Sequence, residues 1–419
     1  MSKNKKRENV KSYFSKDQEM RLYDGTEKTV NELEVGDELI GLNSEPTKIT
    51  KIYKSNEELY EICQDYGNNY VVDGNHILVL KFTNVEGIYW SETKNRQRWK
   101  ARYIQNLKIH DKSFALSAFE RKMSKSDRKE AKEEKFIEAQ EFLKEKADEP
   151  GYNKIGDILE ISVNDYLKLP TNVKRILYCY KTKVNYPEQD VEIDPYILGL
   201  WLGDGHTWQS RITNIDKEIV DYIREYAEEN DLKMSVVGNS KITYSITRLN
   251  REIGNTFLKS LQSYDLIGNK HIPFEYLQNN KKTRLAVLAG LIDTDGYLKK
   301  DNSNTYEIMQ KSIKIANDIV ILSRSLGFKI SINKVKKTCT NTKKGPVTNW
   351  YYRMHISGEG LDKIPVLLKR KKAKPASKGV DFLITQFKIK ELESSKCIGF
   401  KIDNKSKKFI GKDFTVMHC

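Results

Sequence analysis

Three textures follow one another along the 419 residues of the chain. From Tyr13 to about Phe82, short apolar runs alternate with turn signals: YDGT at Tyr23–Thr26, VGDELIGL at Val35–Leu42 and NYVVDGNHILVLKF at Asn69–Phe82. β-Branched and aromatic residues broken by Asp-Gly turns predict short strands and an all-β unit. From Thr83 to Asn185 the chain becomes polar. Trp90–Lys108 interleaves basic and aromatic residues, and Arg121–Asp148 is charged and free of Gly and Pro. The latter predicts a solvent-exposed helix with Phe136, Phe142 and Leu143 facing inward.

From Val191 to Lys374 the pattern repeats. Lys217–Asn230 and Ser312–Gly327 each place apolar residues on one helical face: Ile219, Tyr222, Ile223 and Tyr226 in the first, Ile315, Ile319, Leu322 and Leu326 in the second. Two strand-like runs follow each helix. An apolar run ending in Asp-Gly precedes each, ILGLWLGDG at Ile197–Gly205 and LAGLIDTDG at Leu288–Gly296. Gly199 then falls over Gly290 and Asp204 over Asp295, which are 91 residues apart, the size of a small αβ subdomain. Strand texture returns from Lys378 to Cys419 with too little apolar content to fold alone. The expected organisation is a basic disordered arm (1–12), the first part of a β unit (13–82), an inserted arm with a charged helix (83–190), a repeat domain (191–375, with repeats at about 191–265 and 266–375) and the second part of the β unit (376–419).

Hydrophobic residues are 38% and charged residues 31% of the chain. No apolar run reaches the length of a membrane span, and MSKNKKRENVK has no signal-peptide core, so neither a membrane nor secretion is expected. Five cysteines without a CxxC pair argue against a zinc module or a disulfide framework and fit a reducing compartment. The net charge of +15 suits a polyanion, although it also fits an ordinary basic protein.

The repeated Asp-Gly run carries the chemistry. Small residues let two helices cross closely, so Gly199 and Ala289–Gly290 would bring Asp204 and Asp295 to one point. Two adjacent carboxylates repel unless a cation lies between them. Mg²⁺, with Mn²⁺ as a substitute, takes one or two carboxylates together with water and phosphate oxygens, and activates water for phosphodiester cleavage. The plain alternative is a helix ended by a tight turn. A calcium loop starting at Asp293 fails, because its glycine belongs at the sixth position and Gly296 is the fourth. The recurrence in matched repeats favours the metal reading.

LAGLIDTDG differs at one position from the LAGLIDADG motif. With ILGLWLGDG, IPFEYL, TRLAVLAGLIDTDGY and SRSLGF, the chain resembles the LAGLIDADG (DOD-type) homing endonucleases, in particular the intein-borne subgroup. The resemblance implies an α+β fold: a pseudo-two-fold αββαββα repeat domain inserted into an all-β Hint (intein-type) domain. It implies a monomeric, Mg²⁺-dependent nuclease making double-strand breaks at a long asymmetric site in double-stranded DNA, acting in the nucleus or otherwise in the cytoplasm. Asp204 and Asp295 become the catalytic, metal-binding aspartates, and Asp293 falls where the family has no primary ligand. One lysine per half belongs near the active centre: Lys270 in NKHIP, and Lys372 in KRKKAKP, with Lys371 as the alternative. As alternatives, Lys270 reads as a solvated loop lysine, and Lys369, Arg370 and Lys371 as DNA phosphate contacts. In the arm, Arg96, Arg98, Lys100 and Arg102 become candidate DNA contacts, with the aromatics packing it.

The flanking β segments resemble a Hint self-splicing domain through YFSKDQEMRLYDGTEKTVNELEVGDELIG, VDGNHILVL and KFIGKDFTVMHC. Splicing needs a Cys or Ser nucleophile at the first position, which here is Tyr13. The family ends in His-Asn. This chain ends in Met417-His418-Cys419 with no asparagine to cyclise, and Cys419 stands either for that asparagine or for the next nucleophile. His76 remains, although a lone histidine on a strand also serves as a packed core residue. The expectation is a free-standing endonuclease that starts with its own methionine, ends at Cys419 and has lost splicing. The rivals are a DNA-binding protein that has lost cleavage, an RNA-splicing maturase, disfavoured by the Hint scaffold, and a live intein, disfavoured by Tyr13 and the missing asparagine.

Overall fold

The two ends of the chain share one sheet. In the computed structural model, which describes residues 12–419 apart from 84–86, 94–95, 251, 253, 301–303, 340–345 and 377–378, the strand Ser395–Ile402 pairs antiparallel with both Phe14–Ser15 and Pro46–Glu57. It lies at the centre of a nine-stranded sheet that also takes in Lys408–Ile410 and Val416–His418. The arm expected at 1–12 lies outside the described residues up to Lys11. Apolar positions from both ends close the core: the Phe14 ring stacks on Phe400 at 5.6 Å and meets Phe409 edge-on at 6.1 Å.

The inserted arm is shorter than expected. Strands Ile158–Ser162 and Leu177–Tyr180, placed in the arm by texture alone, both pair with Ile77–Phe82. Ile161, Val163, Leu177 and Cys179 are buried in the same cluster as Leu78 and Leu80. Strand Ile77–Phe82 needs a partner on each side, and these apolar segments supply them. The arm itself is a sheet of Gly87–Thr93, Arg96–Gln105, Lys108–Ala115 and Tyr152–Asn153, covered by the helix Lys125–Lys146. Ser124 caps that helix by accepting from the Asp127 amide. Phe136 packs on Trp99 at 4.9 Å, and Phe142 lies 5.7 Å from both Tyr103 and Phe114.

The repeat domain is built around two motif helices, Pro195–Asp204 and Lys281–Asp295. Both have built N-termini: Asp194 accepts from the Ile197 amide with Pro195 next to it, and Asn280 accepts from the Thr283 amide. The first is flanked by the helix Lys217–Glu229 and a sheet of Arg211–Thr213, Thr243–Arg248 and Leu232–Val236. The second is flanked by the helix Ile313–Ser325 and a sheet of Gly296–Leu298, Tyr306–Gln310, Val347–Ser357 and Lys329–Cys339. The short strands that leave the motifs escape the hydrophobic pattern. In the first half only an isolated bridge, Gly205 with Ile212, stands where the second pairs Gly296 with Ile308. One core runs through both halves, from Ile219 and Ile223 across Leu200, Trp201, Leu288 and Leu291 to Ile315 and Ile319.

The repeat domain rests on the β unit through fixed contacts. Lys181, where the chain leaves the β unit, is anchored by a buried ion pair with Asp413 of the closing segment, and, three residues on, the Val184 amide donates to the Ser325 carbonyl at 2.9 Å. The Tyr66 hydroxyl accepts from the Ile330 amide. Among the described residues no helix is long and apolar enough to cross a membrane.

Candidate active site

The motif helices cross at glycines. A Cβ on Gly199 would lie 2.3 Å from the Val287 carbonyl oxygen, and one on Gly290 would lie 2.4 Å from that of Tyr196. Only hydrogen fits at either position. The close crossing sets the two C-terminal ends side by side: a Cβ on Gly203 would meet Thr294 Oγ1 at 2.1 Å and Asp295 Oδ2 at 3.3 Å. Asp204 and Asp295 are thereby the last residues of two adjacent helices.

Each carboxylate is held by an amide side chain from its own half. Asn214 Nδ2 donates to Asp204 Oδ2 at 2.8 Å, and Gln310 Nε2 donates to Asp295 Oδ2 at 2.6 Å. Burial pushes Asp204 above the usual carboxylate range, against the opposing effects of Asn214, Lys371 and Lys270. Burial, followed by the charge of Asp204, pushes Asp295 up to about 6. Both shifts mark negative charge that the protein leaves short of partners. Asn214 and Gln310 escaped the sequence reading. Their available signal was positional, since each stands two residues before the N-cap of the helix that follows, Asp216 and Ser312.

Behind each carboxylate a lysine caps its helix. Lys270 Nζ donates to the carbonyls of Trp201 (2.7 Å), Leu202 (3.1 Å) and Gly205 (2.6 Å). Lys371 Nζ donates to those of Ile292 (2.9 Å), Asp293 (2.8 Å) and Thr294 (3.3 Å). A cation at a helix C-terminus satisfies orphan carbonyls and opposes the negative end of the helix dipole. Burial pulls Lys270 down to about 8 and also lowers Lys371. The structure therefore corrects the choice of Lys372: that residue is exposed, and buried Lys371 is the counterpart of Lys270. It also removes Lys371 from the candidate DNA contacts, because its ammonium is turned inward.

Asp293, two residues before Asp295, is buried and structural. It accepts from the Tyr196 hydroxyl at 2.8 Å and from the Leu367 amide at 2.7 Å, tying the lysine-bearing segment to the crossing. Arg370 makes a two-bond ion pair with Asp216, and Lys369 is exposed. Among the described residues no three His, Cys, Asp or Glu side chains gather to hold a metal, so the site offers two carboxylates and no closed cage.

In the arm, Arg96, Arg98, Lys100 and Arg102 alternate with Gln97, Trp99, Ala101 and Tyr103 along one strand. Trp99 and Tyr103 pack beneath the helix, with Trp99 Nε1 donating to the Lys132 carbonyl. The basic residues consequently share the opposite face of the sheet. Arg102 is already matched on that face, donating from Nε and Nη2 to Asp111 at 2.9 and 3.1 Å. Lys100 lies 5.8 Å from the centre of the Tyr89 ring.

Among the residues that the Hint resemblance assigns to splicing, the Tyr13 ring is buried against Leu59 and Cys397, while its backbone N–H donates to Asp73 Oδ1 at 2.8 Å. His76 is buried, with Nδ1 2.7 Å from the Ser12 hydroxyl and Phe14 edge-on at 4.8 Å. Burial pulls its pKa down to about 3, helped by nearby His418, which is itself pulled down to about 4. Cys419 ends the chain with its amide on the Lys407 carbonyl, and burial raises its thiol to about 11.

Residues 271–369 match the family model of the homing endonuclease domain, so the chain carries such a domain. The homothallic switching endonuclease of Saccharomyces cerevisiae is 31% identical over 162 residues, covering 33% of this chain and 28% of that protein. The replicative DNA helicase DnaB of Mycobacterium intracellulare is 31% identical over 165 residues, covering 39% of this chain and 24% of that protein. The chain thus spans about a quarter of the length of these curated relatives. Among solved structures, I-DmoI in complex with DNA and Ca is similar with a TM-score of 0.26 and 14% identity, over 39% of this chain and 82% of that one. The gp41-1 intein is similar with a TM-score of 0.16 and 13% identity, over 26% and 91%.

Proposed function

We propose that this chain is a site-specific DNA endonuclease that cuts both strands of a long asymmetric duplex target by metal-dependent hydrolysis, one aspartate serving each strand. The observation that carries this reading is the matched pair of half-sites: Asp204 with Asn214 and Lys270, and Asp295 with Gln310 and Lys371. The match of residues 271–369 to the homing endonuclease domain supports it independently.

Asp204 and Asp295 are the residues that would hold the divalent cation, Mg²⁺ with Mn²⁺ as a substitute. The donor set fits a hard ion, because two carboxylates of raised pKa gain from a nearby cation and leave room for water and phosphate oxygens. Such an ion, when bound, activates water and stabilises charge on the leaving oxygen. The protein's own groups do the rest. Asn214 and Gln310 fix the carboxylate orientations, and the two lysines cap the helix ends that carry the aspartates, holding positive charge behind the carboxylate pair. Arg96, Arg98 and Lys100 on the open face of the arm supply contacts to the duplex backbone. The two half-sites within one chain support action as a monomer, and the basic charge fits work on DNA in the nucleus. Loss of splicing is part of this reading, because Tyr13 stands where the Hint resemblance places a Cys or Ser nucleophile.

Incubation with a random-target duplex library and Mg²⁺ tests the reading. Wild type should yield a reproducible cut site, with Asp204→Asn and Asp295→Asn each leaving a nick. A wild type that binds but never cuts would replace it with the binding-only alternative. Ligated flanks from a reporter fusion would restore the intein reading.

A further inference from the structure

Each lysine-bearing loop is also fastened to the opposite half of the repeat domain, and the two fastenings differ. Beside Lys371, Arg370 donates from Nη1 and Nη2 to the two carboxylate oxygens of Asp216 at 2.8 and 2.7 Å. Asp216 belongs to the first half, as the N-cap of the helix Lys217–Glu229. Its backbone N–H donates to Asn214 Oδ1 at 2.9 Å, and Asn214 Nδ2 donates to Asp204. The chain of contacts therefore runs Arg370, Asp216, Asn214, Asp204. Beside Lys270, Asn269 accepts a bond at 2.9 Å from Lys314 and the Ile272 N–H donates to Asp318 Oδ2 at 2.9 Å, both on the second half's helix Ile313–Ser325. Among the described residues no hydrogen bond continues from Lys314 or Asp318 to Gln310.

We propose that Arg370 is a positioning residue for the half-site of Asp204, acting through Asp216 and Asn214. The inference rests on the endonuclease reading and deepens it by making the two half-sites unequal in how they are held. A two-bond guanidinium–carboxylate pair fixes the orientation of both partners. Here it sets the start of a helix whose N-cap amide holds one end of the Asn214 side chain. The other end of that amide faces the carboxylate. Asn214 itself is anchored by its backbone N–H on the Ile242 carbonyl, so the side-chain orientation is what remains for Asp216 to set. The Arg370 side chain is 60% exposed, and the pair with Asp216 uses two of the guanidinium's five N–H donors, so the salt slope of binding is what separates a phosphate contact from the positioning role.

The test uses the full-length protein and strand-labelled target duplex under single-turnover conditions with Mg²⁺. Asp204→Asn identifies the strand that Asp204 serves. Arg370→Gln should slow cleavage of that strand about fivefold, with the other strand and target affinity within about twofold, the scale expected for one partly exposed pair. The charge swap Arg370→Asp with Asp216→Arg should recover most of the loss. Equal slowing of both strands together with a salt slope of binding reduced by about one would instead make Arg370 a phosphate contact and overturn the inference. No change on either strand would also overturn it. Failure of wild type to cut would count against the endonuclease reading, and a second measurement then decides the positioning role. With ¹⁵N-labelled asparagine, the Asn214 side-chain amide resonance should move in Arg370→Gln and return in the charge swap. A resonance unmoved by Arg370→Gln refutes the relay.

Discussion

A Cβ placed on Gly199 would lie 2.9 Å from the Cα of Gly290, so the two motif helices touch backbone to backbone where these glycines cross. That contact decides where Asp204 and Asp295 stand. Gly199→Ala or Gly290→Ala must push the helices apart, because the obstructing atoms are backbone and cannot rotate away. Each should lower stability by about 2–3 kcal/mol, the upper range for an overpacked core, in urea or thermal unfolding. A loss below about 0.5 kcal/mol would mean that the helices are not in this register.

The lysine assignment makes a sharp comparison. Lys371→Met leaves three helix-terminal carbonyls without their cation and should reduce cleavage about a hundredfold. Lys372→Met, on an exposed side chain, should stay within about twofold of wild type. The reverse order of effects would reinstate Lys372.

On the arm, free and matched charges should separate in a salt titration of DNA binding. Arg98→Ala with Lys100→Ala should lower the log–log slope by about one to two. Arg102→Ala should leave it unchanged, because Asp111 already neutralises that guanidinium. A uniform response from all three would show the Asp111 pair opening on DNA.

The buried His76 predicts acid sensitivity of the β unit. His76 is pulled from 6.5 down to about 3 by burial, so between those values the unfolded chain binds a proton that the folded chain refuses. Stability should be unaffected above about pH 6.5 and fall by up to about 1.4 kcal/mol per pH unit below it, levelling off near pH 3. His76→Gln should flatten this part of the stability–pH curve. An equally steep curve in the variant would assign the acid sensitivity elsewhere, with His418 the next group to replace.

Much of the site was visible in the order of residues. Asp204, Asp295 and the crossing glycines stand out because each motif is short, continuous and written twice. Lys371 stood as the alternative to Lys372, and spacing to the following proline favours the wrong one of the two. Lys270 lies three residues before Pro273, and counting the same distance back from Pro375 leads to Lys372. The second half carries one more residue between lysine and proline, and only the turn Lys369–Lys371 shows which ammonium points at the helix end. Asn214 and Gln310 were missed because an amide in a polar stretch looks like any other until its partner, 10 or 15 residues away, comes within reach. The limits of the arm failed similarly: Ile158–Ser162 and Leu177–Tyr180 follow a polar insertion, and their membership of the β unit is decided by the open edges of Ile77–Phe82.

By itself, then, the sequence determined what local pattern can encode: strand texture at both ends, a charged helix, two apolar helices with glycines in register, and a carboxylate at the end of each. Tertiary structure decided what depends on which distant groups share a low-dielectric space. It selected the capping lysine, supplied an amide to each aspartate, and locked Arg370 onto Asp216 across the pseudo-two-fold. Hydrophobic periodicity is a property of neighbours along the chain, whereas desolvation and charge pairing act between groups that only the closed core brings together.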